Sequence, residues 1–343
     1  MHGGDIYSND IELDFSVNIN PLGIPSGVKR AIEKSMEMAD RYPDIKCSRL
    51  KRGIAEHLKT DITSIAVGNG ASELLMAVMH ALRPKRVLLA APSFTGYEHA
   101  ANAVNAECIY YEMSEEAGFS VTEDILDMLT EDIDMLILTN PNNPTGRIIA
   151  PELLKEIIRR AEANKIITIL DECFIELGGC EENSLLYLAA QYKGLIVLRA
   201  FTKSFAIPAI RLGYAVSNKT NVSLIDKQLP EWNVSIQAQL AGIAALENTD
   251  YLKRAAELIK KEREYLEENL KHLGFKIIKS DTCFMLIRHQ SKTDIYKKLL
   301  ENKILVRSCG DYIGLDDSWL RISVKQHDEN KRLIETLDKI LDE

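Results

Sequence analysis

Four short polar segments each follow an apolar run that is typical of a β-strand. They read GNGASE at 68–73, TNPNNPTG at 139–146, LDE at 170–172 and FTK at 201–203. In an open α/β sheet, ligands bind outside the carboxyl ends of the strands, because loops and helix N-termini converge there. We therefore expect these four segments to meet at one site.

These segments contain groups for anion binding and for covalent catalysis. Gly70, Ala71 and Ser72 lead into a helix. Their amides and the helix dipole predict a phosphate site, although a tight turn that requires glycine has the same pattern. Asp171 follows an apolar strand and needs a cationic or hydrogen-bonding partner, either in a site or in a structural ion pair. Lys203 could act as a nucleophile, but most of the 42 Lys and Arg residues must simply be solvated.

The elements that position these segments alternate between β-rich and helical patterns from about residue 64 to 217. Several β-rich runs are apolar at successive positions, as expected where helices cover both faces of a mostly parallel sheet. Pro151 and the apolar stripe in 151–165 predict a crossover helix. The fold class is therefore α/β. Seven strands are predicted, in SIAVGNG, RVLLAAP, ECIYYE, DMLILTNP, IITILDE, LIVLRAFT and LGYAVS.

A second, smaller unit is predicted after Trp232, where the pattern changes to a long helical stretch that ends at Gly274. A β-α-β-α pattern with a closing helix from Asp328 follows it. We predict a large domain over 35–245 and a small domain made of 1–34 and 246–343.

Composition and charge exclude several classes of function. The net charge is -9, and acidic residues are mixed with basic ones along the chain, so there is no basic stripe for nucleic acid. No apolar run reaches the roughly 20 residues that cross a bilayer, so we expect a cytoplasmic protein without membrane contact. The six cysteines form no CxxC pair and are interpreted as reduced thiols, with no metal site.

The motifs NPNNPTG, DE and TKSFAIPAIRLG stand in the order and at the spacing of a known signature. On these residues the chain resembles the fold type I aminotransferase superfamily over essentially its whole length. The resemblance implies pyridoxal 5'-phosphate as cofactor. It also implies a large domain with a seven-stranded, mostly parallel sheet and a small α+β domain. A dehydrogenase that binds NAD would need a GxGxxG turn, which GNGASE does not supply.

The resemblance also implies which residues touch the cofactor. Lys203 would bind the cofactor aldehyde covalently, and a lowered pKa in a desolvated, cation-rich pocket would make its amine nucleophilic. Asp171 would face the pyridine nitrogen and keep it protonated, and Asn143 would bond the phenolic oxygen of the ring. The full set of implied cofactor contacts is Gly70, Ala71, Ser72, Phe94, Asn143, Asp171, Thr202, Lys203, Arg211 and Tyr42.

Other members of this set would hold the two ends of the cofactor. Arg211 and the turn at 70–72 would hold its phosphate, with Thr202 close by. Phe94 would stack on the pyridine ring. Tyr42 would reach the cofactor phosphate of a neighbouring subunit, which implies a homodimer with shared active sites.

Two positions depart from the pattern of the superfamily. Ala200 stands where a hydroxyl often contacts the cofactor phosphate, three residues before the lysine. Phe174 stands three residues after Asp171, where many relatives have a tyrosine that bonds the phenolic oxygen. The second departure weakens the case for a generic aminotransferase.

Within the superfamily the chain is similar to two branches. One comprises the L-threonine-O-3-phosphate decarboxylases of cobalamin biosynthesis, and the other comprises the histidinol-phosphate aminotransferases, which use 2-oxoglutarate. HGGDI at 2–6, DFSVNINPLG at 14–23, RYPD at 41–44 and DECF at 171–174 favour the first.

Substrate contacts in the decarboxylase branch would come mainly from two arginines. Arg307 and Arg321 could hold the carboxylate and the phosphate of a phosphorylated amino acid, in an order that the sequence leaves open. Two surface arginines on adjacent strands would give the same pattern. The implied substrate-binding set is His2, Asn18, Asn143, Arg307 and Arg321.

Overall fold

A seven-stranded sheet forms the centre of the computed structural model, which describes residues 3–248 and 250–342. Its strands confirm the seven predicted from the sequence: β2 (Ile65–Gly68), β3 (Arg86–Ala91), β4 (Glu107–Glu112), β5 (Met135–Thr139), β6 (Ile167–Asp171), β7 (Leu195–Ala200) and β8 (Gly213–Val216). The strand order is β2-β8-β7-β6-β5-β3-β4, and only β8 runs antiparallel to its neighbours. The α/β fold class is confirmed.

Helices cover this sheet and bury its apolar strands. Every residue of β2, β5, β7 and β8 is buried, which explains why these runs are apolar at successive positions. The helices are α1 (Ser26–Ser35), α2 (Ser48–Leu58), α3 (Ala71–Leu82), α4 (Gly96–Asn102), α5 (Pro151–Ala163), α6 (Ile175–Gly178), α7 (Phe201–Ser204), α8 (Lys219–Asp226), α9 (Ile236–Leu246), α10 (Tyr251–His272), α11 (Ile295–Glu301) and α12 (His327–Asp342).

The register of the central strands brings the polar segments together. Thr139 on β5 pairs with Asp171 on β6, and Asp171 pairs in turn with Leu198 on β7. Because these strands are parallel, their carboxyl ends lie side by side at one edge of the sheet. The loop that contains Asn143, the end of β6 and the start of α7 therefore converge.

A second, four-stranded sheet is antiparallel and lies near the C-terminus, in the order β12-β13-β10-β9. Its strands are β9 (Lys276–Ile278), β10 (Phe284–Arg288), β12 (Arg307–Ser308) and β13 (Trp319–Ser323). The short strands β1 (Leu13–Asp14) and β11 (Ile304–Leu305) pair separately, so the N-terminal segment contacts this part of the chain. On the second sheet, Arg307 pairs directly with Arg321.

The C-terminal part contains more elements than the sequence pattern predicted. The run 275–289, expected as one strand, forms β9 and β10, which pair in an antiparallel hairpin. The long helical stretch that was predicted to end at Gly274 forms α10, and a separate helix, α9, precedes it. Helix α1 packs against α9. The domain boundaries at 35 and 245 stay a prediction. Within the described residues, no helix is long and apolar enough to span a bilayer.

Candidate active site

A cavity of about 220 Å³ lies at the carboxyl edge of the central sheet, where the four polar segments meet. Predicted residues that the structure brings together around it are Asn18, Ala71, Ser72, Phe94, Asn143, Asp171, Thr202, Lys203, Arg211, Arg307 and Arg321. Residues from both sheets and from the N-terminal segment therefore line the same cavity.

Two predicted site residues do not line this cavity. Gly70 lies close to the guanidinium of Arg211, which does line it. Tyr42 is 79% exposed and its ring packs against that of Trp232, with 4.8 Å between the ring centroids, so it does not line the cavity of its own chain. The predicted contact of His2 lies outside the described residues.

The turn before α3 approaches an arginine so closely that it requires glycine. Gly70 has a φ of +88°, and a Cβ at this position would lie 2.7 Å from Nη2 of Arg211. A Cβ at Gly213 on β8 would lie 2.6 Å from the amide nitrogen of Ala71. The first amides of α3 and the Arg211 guanidinium therefore form a compact cradle for an anion at the N-terminus of a 12-residue helix.

Lys203 projects into the cavity from the short helix α7. Burial lowers the pKa of its ammonium group; the Cys173 thiol opposes this shift, whereas Arg321 and Arg211 add to it. Asn20 fixes the backbone here, since its amide donates to the Lys203 carbonyl at 3.1 Å and its side chain donates to the Ser204 carbonyl at 2.8 Å. A buried amine with a lowered pKa is a nucleophile and a proton carrier.

Asp171 lies at the end of β6 with both carboxylate oxygens engaged. The hydroxyl of Tyr97 donates to Oδ2 at 2.8 Å, and the amide of Cys173 donates to Oδ1 at 2.9 Å. The Thr139 hydroxyl donates to the Tyr97 oxygen at 2.8 Å. Burial, together with the Asp171 carboxylate, raises the pKa of Tyr97 well above its usual value, so the phenol stays a donor. This chain of hydrogen bonds fixes the direction of the carboxylate.

Replacement of Tyr97 by phenylalanine is expected to lower kcat by about tenfold, because a hydrogen bond to a charged group is worth roughly 1.5–3 kcal/mol. Tyr111→Phe is the matched control, since the buried Tyr111 hydroxyl donates to Asp124 at 2.7 Å on the strand β4. Steady-state kinetics of both variants measure the effect. Equal losses in the two would show that Tyr97 has no special relation to Asp171.

Asn143 and Arg321 form a fixed pair on one wall. Nη1 of Arg321 donates to Oδ1 of Asn143 at 2.6 Å, and Nη2 donates to the Ser16 carbonyl. Because Oδ1 is engaged, the NH₂ group of Asn143 is the part that can serve a ligand. Five buried side-chain atoms have no hydrogen-bond partner among the described residues, and two of them belong to the cavity lining, namely Nε of Arg321 and Oδ1 of Asn18. A buried polar atom without a partner indicates a missing ligand or water.

Arg307 is buried and lies beside Arg321 on the neighbouring strand of the second sheet. Its Nη2 donates to both oxygens of Asp311, at 2.8 and 2.9 Å, and its guanidinium carbon lies 5.0 Å from the centre of the Tyr312 ring. Arg307 also lines a neighbouring cavity of about 590 Å³. Arg307 is therefore a buried arginine whose guanidinium is fixed by Asp311 and Tyr312 between two cavities, and it is not a surface residue.

Several residues that line the cavity were not predicted from the sequence. The sequence indicated the residues at the strand ends, but not the side chains from other parts of the chain that contact them. The spacing of Phe94 and Tyr97, three residues apart at the start of α4, could have indicated that both face one site. Nothing local pairs Tyr97 with Asp171, 74 residues away. The missed residues are Gly3, Ser16, Val17, Tyr97, Thr139, Cys173 and Tyr312.

The charge balance of the lining favours anionic ligands. Among the described residues, four cationic side chains and one carboxylate line the cavity, namely Lys203, Arg211, Arg307 and Arg321 against Asp171. The cations lie in two places. Arg211 lies at the cradle of α3, and Arg307 and Arg321 lie on the second sheet. The site can therefore hold one anion at each end, with the lysine between them.

Comparison with known proteins places the chain in an aminotransferase family. The profile of "Aminotransferase class I and II" matches residues 10–337. A Caldanaerobacter subterraneus protein provisionally named threonine-phosphate decarboxylase is 36% identical, covering 100% of this chain and 94% of the relative. The threonine-phosphate decarboxylase of Salmonella typhimurium is 33% identical, covering 99% and 96%.

A solved structure gives a similar result for the fold. The crystal structure of the histidinol-phosphate aminotransferase from Clostridium acetobutylicum superposes with a TM-score of 0.91 at 32% identity, covering 96% of this chain and 99% of that one.

Proposed function

The chain belongs to the class I and II aminotransferase family, and on that premise we propose that it is a pyridoxal-phosphate-dependent decarboxylase of L-threonine O-3-phosphate. Its products would be (R)-1-amino-2-propanol O-2-phosphate and CO₂, in cobalamin biosynthesis. The observation that carries the proposal is the direct pairing of Arg307 with Arg321 on the wall of the cavity that contains Lys203. Two adjacent guanidinium groups suit a substrate with two anionic groups.

The residues of the cavity fit pyridoxal 5'-phosphate. The cradle at Gly70, which a Cβ would fill, and the Arg211 guanidinium suit its phosphate. Asp171, held by Tyr97, can pair with a protonated ring nitrogen, and the NH₂ group of Asn143 can donate to the phenolic oxygen. Lys203 lines the same cavity, and burial lowers the pKa of its amine, which suits attack on the cofactor aldehyde.

The protein selects which bond of the substrate breaks. Pyridoxal phosphate would supply an electron-accepting ring when bound, and the residues that orient the substrate would decide which bond of its α-carbon breaks. Arg307 and Arg321 anchor the two anions of the substrate and so set its rotation. When CO₂ leaves, the electron pair of the broken bond stays with the α-carbon, and the Lys203 ammonium can deliver a proton to that carbon.

Phe174 supports decarboxylation as the outcome. Its ring lies 5.9 Å from Nζ of Lys203, at the position where many relatives have a tyrosine hydroxyl. It lines the cavity without a polar group, so Asn143 is left to bond the phenolic oxygen. Phe174 therefore provides no hydroxyl group near the Lys203 amine, unlike the tyrosine of many relatives.

An aminotransferase acting on histidinol phosphate is the second candidate. The superposition with the enzyme from Clostridium acetobutylicum favours it, since identity and coverage are close to those of the decarboxylases. Histidinol phosphate has a phosphate but no carboxylate, so this amino donor would bring only one anion to the paired arginines, whereas 2-oxoglutarate would bring two carboxylates in the second half of the reaction. The two candidates therefore differ in their use of Arg307 and Arg321.

Product analysis separates the two activities. The holoprotein is incubated with phosphothreonine alone, and separately with histidinol phosphate and 2-oxoglutarate. We expect CO₂ and an amino-alcohol phosphate in the first reaction, identified by mass, and no glutamate in the second. The Lys203→Ala protein is the control for uncatalysed breakdown. Glutamate formation without CO₂ release would replace the proposal with the aminotransferase.

We further propose that the protein acts as a homodimer in which Tyr42 completes the partner's phosphate cradle. Its ring and that of Trp232 are both exposed and packed together, as expected for a patch that a second subunit covers. Mixing Lys203→Ala with Tyr42→Ala chains should restore roughly a quarter of wild-type activity, because one site in each mixed dimer is intact. Each variant alone should stay impaired. A monomer in sedimentation, with no recovery on mixing, would contradict the shared site.

A further inference from the structure

A buried ionic cluster lies outside the cavity, next along the chain to residues that line it. We call Arg199, Glu172, Glu176, Ser184 and Ser204 the arginine cluster. Nε and Nη2 of Arg199 donate to Oε2 of Glu172 at 3.1 and 2.8 Å, and Nη1 donates to Oε1 of Glu176 at 3.1 Å. The hydroxyl of Ser204 donates to Oε2 of Glu176. One guanidinium therefore joins two carboxylates from different elements.

Each end of the cluster is the chain neighbour of a cofactor-facing residue. Glu172 follows Asp171 at the end of β6, and Ser204 follows Lys203 on α7. Successive side chains of an extended segment point to opposite sides, and Asp171 lines the cavity whereas the fully buried Glu172 does not. Arg199 precedes the lining residue Ala200 on β7 in the same way.

The side chains of the cluster are joined by several hydrogen bonds. Burial alone would lower the pKa of Arg199, but Glu172 and Glu176 raise it above its ordinary value. Ser184 and the amide of Leu185 donate to the Glu172 carboxylate at 2.6 and 3.0 Å. A buried polar network in which every group is satisfied is rigid, because any rotation leaves a charge without a partner.

We propose that the arginine cluster is a positioning device that fixes Lys203 relative to Asp171. It acts through Ser204 and Glu172 and touches neither substrate nor cofactor. The inference rests on the proposed function only in placing the cofactor on Lys203. It concerns the alignment of the amine with the ring, which holds for either candidate reaction.

Ser204→Ala tests this role, because it removes the link to α7 and leaves the ion pairs intact. We expect kcat to fall roughly tenfold with KM within about twofold, as when a reacting group is displaced by a fraction of an ångström. The pH midpoint of the cofactor absorbance should also shift by about half a unit or more. Arg199→Lys, which keeps the charge but cannot join both carboxylates, should shift both quantities in the same direction.

Ser217→Ala is the matched control, since the Ser217 hydroxyl is also buried and donates at 2.6 Å to the carbonyl of Leu195, at the far end of β7. We expect it to lower the melting temperature to a similar extent without changing kcat or the absorbance midpoint. Unchanged kcat and absorbance midpoint in Ser204→Ala, or equal changes in both serine variants, would overturn the proposal. The absorbance titration requires no substrate, so it decides the question even if the proposed reaction fails.

Discussion

Replacement of Lys203 by alanine is expected to lower kcat by roughly 10⁴-fold or more, because the same amine holds the cofactor and carries the proton. No other lysine lines the cavity among the described residues, so none can take over either task. Purified Lys203→Ala protein should show no absorbance band of a lysine-bound cofactor. Rates of CO₂ release and the absorbance spectrum measure the two effects.

Lys227→Ala provides the control for this result, since Lys227 is exposed just after α8. It should keep wild-type rate and spectrum. Residual turnover of Lys203→Ala within tenfold of wild type would contradict the account.

The stability of the cofactor-free protein gives a second measurement on Lys203→Ala. Burial lowers the pKa of Lys203 in the folded state. As the pH rises from the lowered pKa towards the usual lysine value, the unfolded chain therefore binds more protons than the folded chain. Over that range the free energy of unfolding rises with pH in the wild type. Urea titrations at a series of pH values measure the free energy of unfolding, and the Lys203→Ala protein should lack this rise with pH. If the free energy of unfolding changed with pH equally in both proteins, the lowered pKa of Lys203 would be contradicted.

Replacement of Asp171 by asparagine is expected to lower kcat by about 10²–10³-fold, the usual cost of removing a preorganised electrostatic contact to the reacting system. The carboxylate is held by Tyr97 and by the amide of Cys173, so the isosteric amide can occupy the same place without its charge. The electron-accepting capacity of the ring should fall, while KM changes little. Stopped-flow absorbance and steady-state rates measure the effect.

Asp134→Asn is the control for the same substitution on the same sheet. The Asp134 carboxylate accepts the amides of Lys85 and Arg86 at 2.7 and 2.9 Å, at the opposite edge from the cavity. It should cost stability but not turnover. If Asp171→Asn were no more impaired than Asp134→Asn, Asp171 would not face the ring nitrogen.

Much of the fold could be predicted from the sequence because its signals are local. The strands β2, β5 and β6 are apolar runs that end at Gly68, Thr139 and Asp171. The end of a parallel strand is also where a ligand binds. This is why Asp171 and Lys203 could be placed in one site from the order of their motifs.

The rest of the site depends on contacts between distant parts of the chain. Tyr97 meets Asp171, and Arg321 meets Asn143, through tertiary packing that no spacing encodes. The arginine cluster was missed for the same reason, since Arg199 in an apolar strand has no local sign of its two carboxylate partners. The hairpin of β9 and β10 was predicted as one strand, because the polar turn at 279–283 is short.

The most direct test of the account is to identify the lysine that holds the cofactor. The holoprotein is reduced with borohydride, digested and analysed by peptide mass spectrometry. The account predicts a reduced phosphopyridoxyl group on Lys203. Labelling at another lysine, or an unlabelled Lys203 in protein that has bound the cofactor, would contradict it.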